Sequence, residues 1–219
     1  MKKSFNVLIA SFFVSVFLTV TNEAFAQYSS LFQSAKSVGK GNGEFTLHYS
    51  NIGYSSEEFS EKVFDNLGFM AGFGITDLTE IRVKYDRLGY FSEGMDLGLN
   101  TLMAGPKFSE ESGLFAIYLP VGFAFSEGNG NSWLANPAFL FSISLGEKVL
   151  LNINPNYAFS LEKGNNFEDG LLGIPLGLAI NLGESWILRP EGGVTFEMGY
   201  EGKFYNFGLG ISRKLGKNE

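Results

Sequence analysis

Cysteine is absent from these 219 residues, histidine occurs once, and charged side chains make up only 18%. Without Cys there are no disulfide frameworks, thiolate metal centres or cysteine nucleophiles. A lone His excludes multi-His metal sites and leaves little scope for imidazole acid–base chemistry. Acids outnumber bases, giving a net charge of −7, so nucleic acid is an unfavourable partner: its phosphates demand a basic surface. No run of twenty apolar residues follows residue 27, and a second helical membrane span is thereby excluded. What the chain has in abundance is glycine (28 residues) and phenylalanine (23 residues). This composition implies no cofactor and disfavours an enzyme.

The first 26 residues read as a secretory leader. Lys2 and Lys3 form a basic start, Val7 to Val20 an apolar stretch, and Ala24-Phe25-Ala26 the small-residue pair that a signal peptidase reads. Cleavage is expected after Ala26, which moves the net charge from −7 to −8 by removing two Lys and one Glu. The chain then divides into a lead-in over 27–42, lying in the periplasm or plugging a lumen, and a barrel over 43–219. Ser29 to Val38 could form a helical turn or two.

Beyond the lead-in, hydrophobicity alternates with period two, the mark of strands with unlike faces. Val149, Leu151, Ile153, Pro155, Tyr157 and Phe159 share one face; Lys148, Asn152, Asn154, Asn156 and Ser160 share the other. Leu172, Ile174, Leu176, Leu178 and Ile180 oppose Gly173, Pro175, Gly177, Ala179 and Asn181. Ile81, Val83 and Tyr85 oppose Arg82, Lys84 and Asp86. A soluble barrel would turn the greasy face inward and carry Lys, Glu and Thr outside. Here the second face is mostly Gly, Ala, Asn and Ser, which fits a lumen, with the greasy face in lipid. Short connections at 76–79, 109–113, 146–148 and 183–185 are expected to alternate with longer ones at 51–65, 88–95, 126–132, 162–169 and 199–202. The expected fold is all-β: a transmembrane antiparallel up-and-down β-barrel of about ten strands, closed so that no edge is left unpaired in lipid. Pro120, Pro155 and Pro190 recur at thirty-five-residue intervals, with Pro106, Pro137 and Pro175 between them. Since Pro removes a ladder donor, bulges or breaks are expected there.

Gln33 to Ser50, a short polar lead-in with Gly-Lys-Gly followed by a first strand, and Arg189-Pro190-Glu191 together resemble small outer-membrane β-barrels of Bacteroidota. That group is similar to the transporter-like barrels named for phenol-degradation pathways. The resemblance implies location in the bacterial outer membrane and passage of small apolar solutes, and it carries over no binding residues. One departure is the C-terminus, Leu215-Gly216-Lys217-Asn218-Glu219, which lacks the terminal aromatic residue of many outer-membrane proteins.

The candidate lumen-facing residues are His48, Arg82, Lys84, Asp86, Asn152, Asn154, Arg189, Glu191 and Glu197. Their charges must be paired or hydrated in a narrow barrel, so they form either a structural ion-pair network or a selective polar pathway. No Gly-x-Ser-x-Gly elbow accompanies His48, and a lumen-lining role is expected for it ahead of catalysis. Gly68, Gly72, Gly74, Gly173, Gly177, Gly208 and Gly210 either open a pore or admit close packing. Trp133, Trp186, Tyr90 and Tyr200 suit the aromatic girdles of a membrane barrel. The functional expectation is a narrow pore or transporter for small molecules. The alternatives are a structural or adhesion barrel with partner-binding outer loops and, behind it, a lipid-modifying barrel enzyme. Expected partners are outer-membrane lipid, the periplasmic chaperones and barrel-assembly machinery that insert it, and a small-molecule solute.

Overall fold

The computed structural model describes residues 30–56, 60–90, 95–126, 129–162, 170–198 and 201–216. The expected leader and its cleavage point lie outside these residues. So do Tyr200 and the side chain of Tyr90.

Among the described residues the chain is all-β, with thirteen strand segments in one antiparallel sheet. They are β1 (Gly43–Ser55), β2 (Ser60–Gly74), β3 (Thr79–Tyr90), β4 (Met95–Ser109), β5 (Phe115–Tyr118), β6 (Val121–Ser126), β7 (Asn129–Ala135), β8 (Ala138–Ser144), β9 (Val149–Ile153), β10 (Asn156–Ser160), β11 (Leu171–Asn181), β12 (Trp186–Glu197) and β13 (Lys203–Leu215). β1 pairs with β2 on one side and β13 on the other, and the remaining ladders run round to meet them, so the sheet closes into a barrel. The expectation of about ten strands falls short because prolines cut the chain between β5 and β6, β7 and β8, and β9 and β10. Pro120, Pro137 and Pro155 stand at those breaks. The proline carbonyls still take part in cross-strand pairing: those of Pro106, Pro120, Pro137, Pro155 and Pro175 accept N–H bonds from Leu119, Asn136, Tyr157, Phe139 and Asn154. Pro106, Pro175 and Pro190 stay within strands.

A second correction concerns the connections. The segments 51–65, 88–95 and 126–132 read as loops in the sequence, but most of their described residues belong to strands. Asn51 pairs with Asp65, Ser55 with Ser60, and Leu88 with Leu99. Bulges at Ile52/Gly53, Leu88/Gly89 and Ala124/Ser126 absorb the local irregularity that reads as loop in the sequence.

The faces are inverted relative to a water-soluble protein. Phe45, Leu47, Phe69, Phe73, Ile81, Phe139, Phe141, Ile174, Leu176, Phe207, Leu209 and Ile211 are exposed around the outside. Such a continuous apolar belt on a closed barrel is stable only against lipid. Trp133 and Trp186 are exposed on the same surface, and the Arg213 guanidinium lies 5.5 Å from the Trp186 ring centroid. The interior is polar over much of its height. Toward the far end, away from the tight turns at 75–78 and 182–185, it becomes apolar. There Ile52, Phe64, Leu88, Leu99, Ala158, Leu171 and Phe204 form one buried cluster. Leu171 on β11 and Leu88 on β3 stand on opposite walls, so this cluster crosses the lumen.

Candidate functional site

The lumen between the apolar cluster and the tight turns holds the N-terminal segment. Ser30 to Ala35 is buried, and its backbone is irregular rather than helical; the expected helical turns are absent. A helix would satisfy its own amides, whereas here the barrel wall satisfies them. Ala35 N–H donates to Ser142 Oγ at 2.8 Å and Val38 N–H to Glu80 Oε2 at 2.9 Å. The carbonyls of Ser30, Gln33 and Ala35 accept bonds from Lys84 Nζ (2.8 Å), Asn154 Nδ2 (3.0 Å) and Ser109 Oγ (2.7 Å). Lys107 Nζ donates to the carbonyls of both Ser34 and Lys36, at 2.9 and 3.0 Å. Backbone at this depth needs partners, because unsatisfied polar groups away from water are costly.

One wall residue grips two consecutive amides. Leu31 N–H donates to Glu191 Oε1 at 2.6 Å and Phe32 N–H to Oε2 at 2.9 Å. Phe32 has φ +49°, a left-handed conformation unusual for a residue with a Cβ. That kink turns adjacent N–H groups toward one anion, as in the small backbone concavities that bind anions elsewhere. The Phe32 ring lies over β13, where a Cβ on Gly210 would sit 3.2 Å from its Cδ1 and one on Gly208 2.8 Å from its Cζ. These lumen glycines serve close packing against the plug.

The wall charges form a balanced set. Arg82 Nε donates to Glu80 Oε1 at 2.5 Å, and Lys107 Nζ lies 2.7 Å from the same oxygen. Glu44 sits between two guanidiniums, 2.9 Å from Arg189 Nη2 and 3.4 Å from Arg82 Nη1. Arg189 also donates to Ser212 Oγ (2.8 Å) and to Ser34 Oγ on the plug (2.9 Å). Higher in the lumen, Asp86 accepts from His48 Nε2 (2.8 Å) and Asn66 Nδ2 (2.9 Å), with Lys84 Nζ at 2.9 Å. Glu44, Glu80, Asp86 and Glu191 thus face Arg82, Lys84, Lys107 and Arg189, all within 5% of complete burial. Buried ions are tolerable only when paired and hydrogen-bonded in this way.

Of the sequence candidates, His48, Arg82, Lys84, Asp86, Asn152, Asn154, Arg189 and Glu191 are buried on the inner face, and Glu197 is half-buried near the far end of β12. Asn152 Oδ1 accepts from Ser142 Oγ at 2.7 Å, which leaves the hydroxyl oxygen free to accept from Ala35 N–H of the plug. Sequence reasoning missed Glu44, Glu80, Lys107 and Ser142. The signal was present for two of them: Glu44 shares a face with His48, and Glu80 with Arg82, at even spacing along their strands.

Below the plug, at the tight-turn end, the lumen opens into a cavity of about 850 Å³. Arg82, Arg189 and Glu44 line it together with plug residues Lys36 and Lys40 and with Lys214 of β13.

No family model and no curated protein matches the chain. Solved structures of similar shape include the attachment invasion locus protein Ail of Yersinia pestis, with 11% identity, a TM-score of 0.39, and coverage of 80% of this chain and 99% of that one. An outer-membrane channel of Pseudomonas putida F1 aligns at 12% identity and TM-score 0.46, over 83% and 98% of the two chains. The translocator domain of the autotransporter NalP from Neisseria meningitidis aligns at 9% and 0.49, over 81% and 89%.

Proposed function

We propose that the protein is an outer-membrane barrel that provides a narrow, gated pathway for small molecules, closed here by its own N-terminal segment. The observation that supports this reading most is the way the plug is held. Its contacts to Glu191, Lys107, Lys84, Arg189, Ser142 and Asn154 are polar, and water could replace each of them if the segment withdrew. Leu31 and Ala35 add apolar packing against Ala116, Tyr118, Ala138 and Leu140, but the larger number of contacts are these replaceable polar ones. Each such bond contributes about 1 kcal/mol net, so the closed state dominates and basal conductance is low. His48 acts in this scheme as a partner of Asp86, and no catalytic step is assigned to the protein.

Planar-bilayer recording tests the proposal. The wild type should conduct very little. A variant lacking residues 30–38 and carrying Leu88→Ser, which also interrupts the apolar cluster, should conduct small ions steadily. If that variant folds into the membrane and still does not conduct, the gated pathway is wrong and a structural or adhesion barrel becomes the better reading.

A further inference from the structure

We propose that the cavity at the tight-turn end is a binding site for a small organic anion that carries an apolar body. Its volume of about 850 Å³ falls in the range of small-molecule sites, roughly 300–1,000 Å³. The charge of its lining runs against the rest of the molecule. In a chain of net charge −7, Lys36, Lys40, Lys214, Arg82 and Arg189 line the cavity against Glu44 and Glu147. Glu44 is already committed to the two arginines. Lys36 and Lys40 make no ion pair among the described residues, and Lys214 Nζ reaches only the Asn181 amide oxygen, at 3.4 Å. Three ammonium groups are therefore available at the mouth, below a roof of two guanidiniums.

Beside these charges stands an apolar patch at the tight-turn end of the lumen. Leu150, Ala179 and Ile187 line the same cavity. They are neighbours across the sheet: Leu150 pairs with Ala179, and Ile187 with Asn181, two residues further along β11. Leu150 interrupts the alternation of β9 and puts a large apolar side chain on the face that carries Asn152 and, just past the strand, Asn154. None of the three belongs to a buried apolar cluster. Cations and hydrocarbon lining one cavity are complementary to an anion with a short aliphatic body. A bare inorganic anion would leave the apolar wall unused. Because Lys36 and Lys40 belong to the plug and Lys214 to the wall, such a ligand would bridge the two. Binding does not require the plug to move, so the site can be tested without any transport assay.

Isothermal titration of the full chain in a non-ionic detergent, with hexanoate, acetate, inorganic phosphate and hexylammonium as probes, decides the matter. Hexanoate should bind saturably, acetate and phosphate at least about tenfold more weakly, and hexylammonium not at all. Lys36→Gln combined with Lys214→Gln should weaken hexanoate by about tenfold, as expected for lost charge-assisted bonds. Leu150→Asn should bring hexanoate down to the level of acetate. Equal heats for hexanoate and hexylammonium would indicate partition into the micelle and overturn the site. Phosphate binding as tightly as hexanoate would overturn the role of the apolar wall. Hexanoate binding unchanged in the lysine double variant would overturn the anion assignment.

Discussion

Replacing Glu191 with Gln should loosen the plug while leaving the barrel standing. In the native chain the two carboxylate oxygens accept from the amides of Leu31 and Phe32 at 2.6 and 2.9 Å. Gln keeps one acceptor oxygen and turns an NH2 group toward the other amide, so one bond is lost and one buried N–H is stranded. A bond to a charged acceptor is worth about 1.5–3 kcal/mol, and a stranded buried donor costs about 1–3. Because these overlap, the local loss should be about 2–4 kcal/mol. The strain of the left-handed Phe32, about 1–2 kcal/mol, is released on opening in both proteins and cancels from the difference. At a factor of ten per 1.4 kcal/mol, opening of residues 31–36 should become roughly thirty to a thousand times more frequent. Hydrogen exchange followed by mass spectrometry in lipid nanodiscs reads this directly: the peptide covering 30–38 should exchange faster, with β1 and β13 amides unchanged. Equal protection in the two proteins would refute the claim that Glu191 holds the plug. A uniform loss of protection would show that it holds the barrel.

Other outcomes follow from the same geometry. Leu176→Arg, on the exposed outer face of β11, should destabilise by about 2–4 kcal/mol near mid-membrane, and Ala179→Arg, beside the cavity, by less; urea unfolding in lipid vesicles giving the reverse order would contradict the assigned faces. Arg189→Gln leaves Glu44 with only the longer Arg82 contact and should cost about 3–5 kcal/mol, partly recovered by Arg189→Lys, in the same assay. Mass spectrometry of the exported protein should find Gln27 at its N-terminus; an intact Met1 or a start well downstream would reject the leader assignment.

The facing of the wall was legible because a strand has only two faces and lipid tolerates few polar residues on one of them. Ile81, Val83 and Tyr85 against Arg82, Lys84 and Asp86 declare both faces within six residues. The same parity reaches Glu44 and Glu80, although nothing local distinguishes them from solvated acids at a strand end. The strand count was less legible. Pro106, Pro175 and Pro190 stay within strands whereas Pro120, Pro137 and Pro155 stand at breaks, and nothing in the local sequence separates the two sets. The conformation of residues 30–38 was not legible at all. The segment has no periodicity, and its partners Glu191, Asn154, Ser142 and Lys107 lie far along the chain. Its shape is that of the space the closed barrel leaves.

The lumen is closed in two layers of different chemistry, and they should fail differently. Around the plug, most contacts to the wall are hydrogen bonds that water can replace, although Leu31 and Ala35 also pack with Ala116, Tyr118, Ala138 and Leu140. Removing residues 30–38 therefore leaves a hydratable channel in which the wall ion pairs persist and Glu191 loses its two amide partners. At the far end, Ile52 and Leu88 are fully buried and Leu99, Leu171 and Phe204 nearly so, all in one cluster. Water enters an apolar constriction reluctantly, and such layers block ions by dewetting even when the backbone is open. Loss of the plug alone should therefore raise conductance only modestly. Leu88→Ser alone should also do little, because the plug still fills the lumen below it. Two barriers in series give a combined variant whose conductance exceeds the sum of the single effects. Simple additivity in single-channel recordings would mean that ions bypass one of the layers, and the cluster joining β3 to β11 would then not span the conducting path.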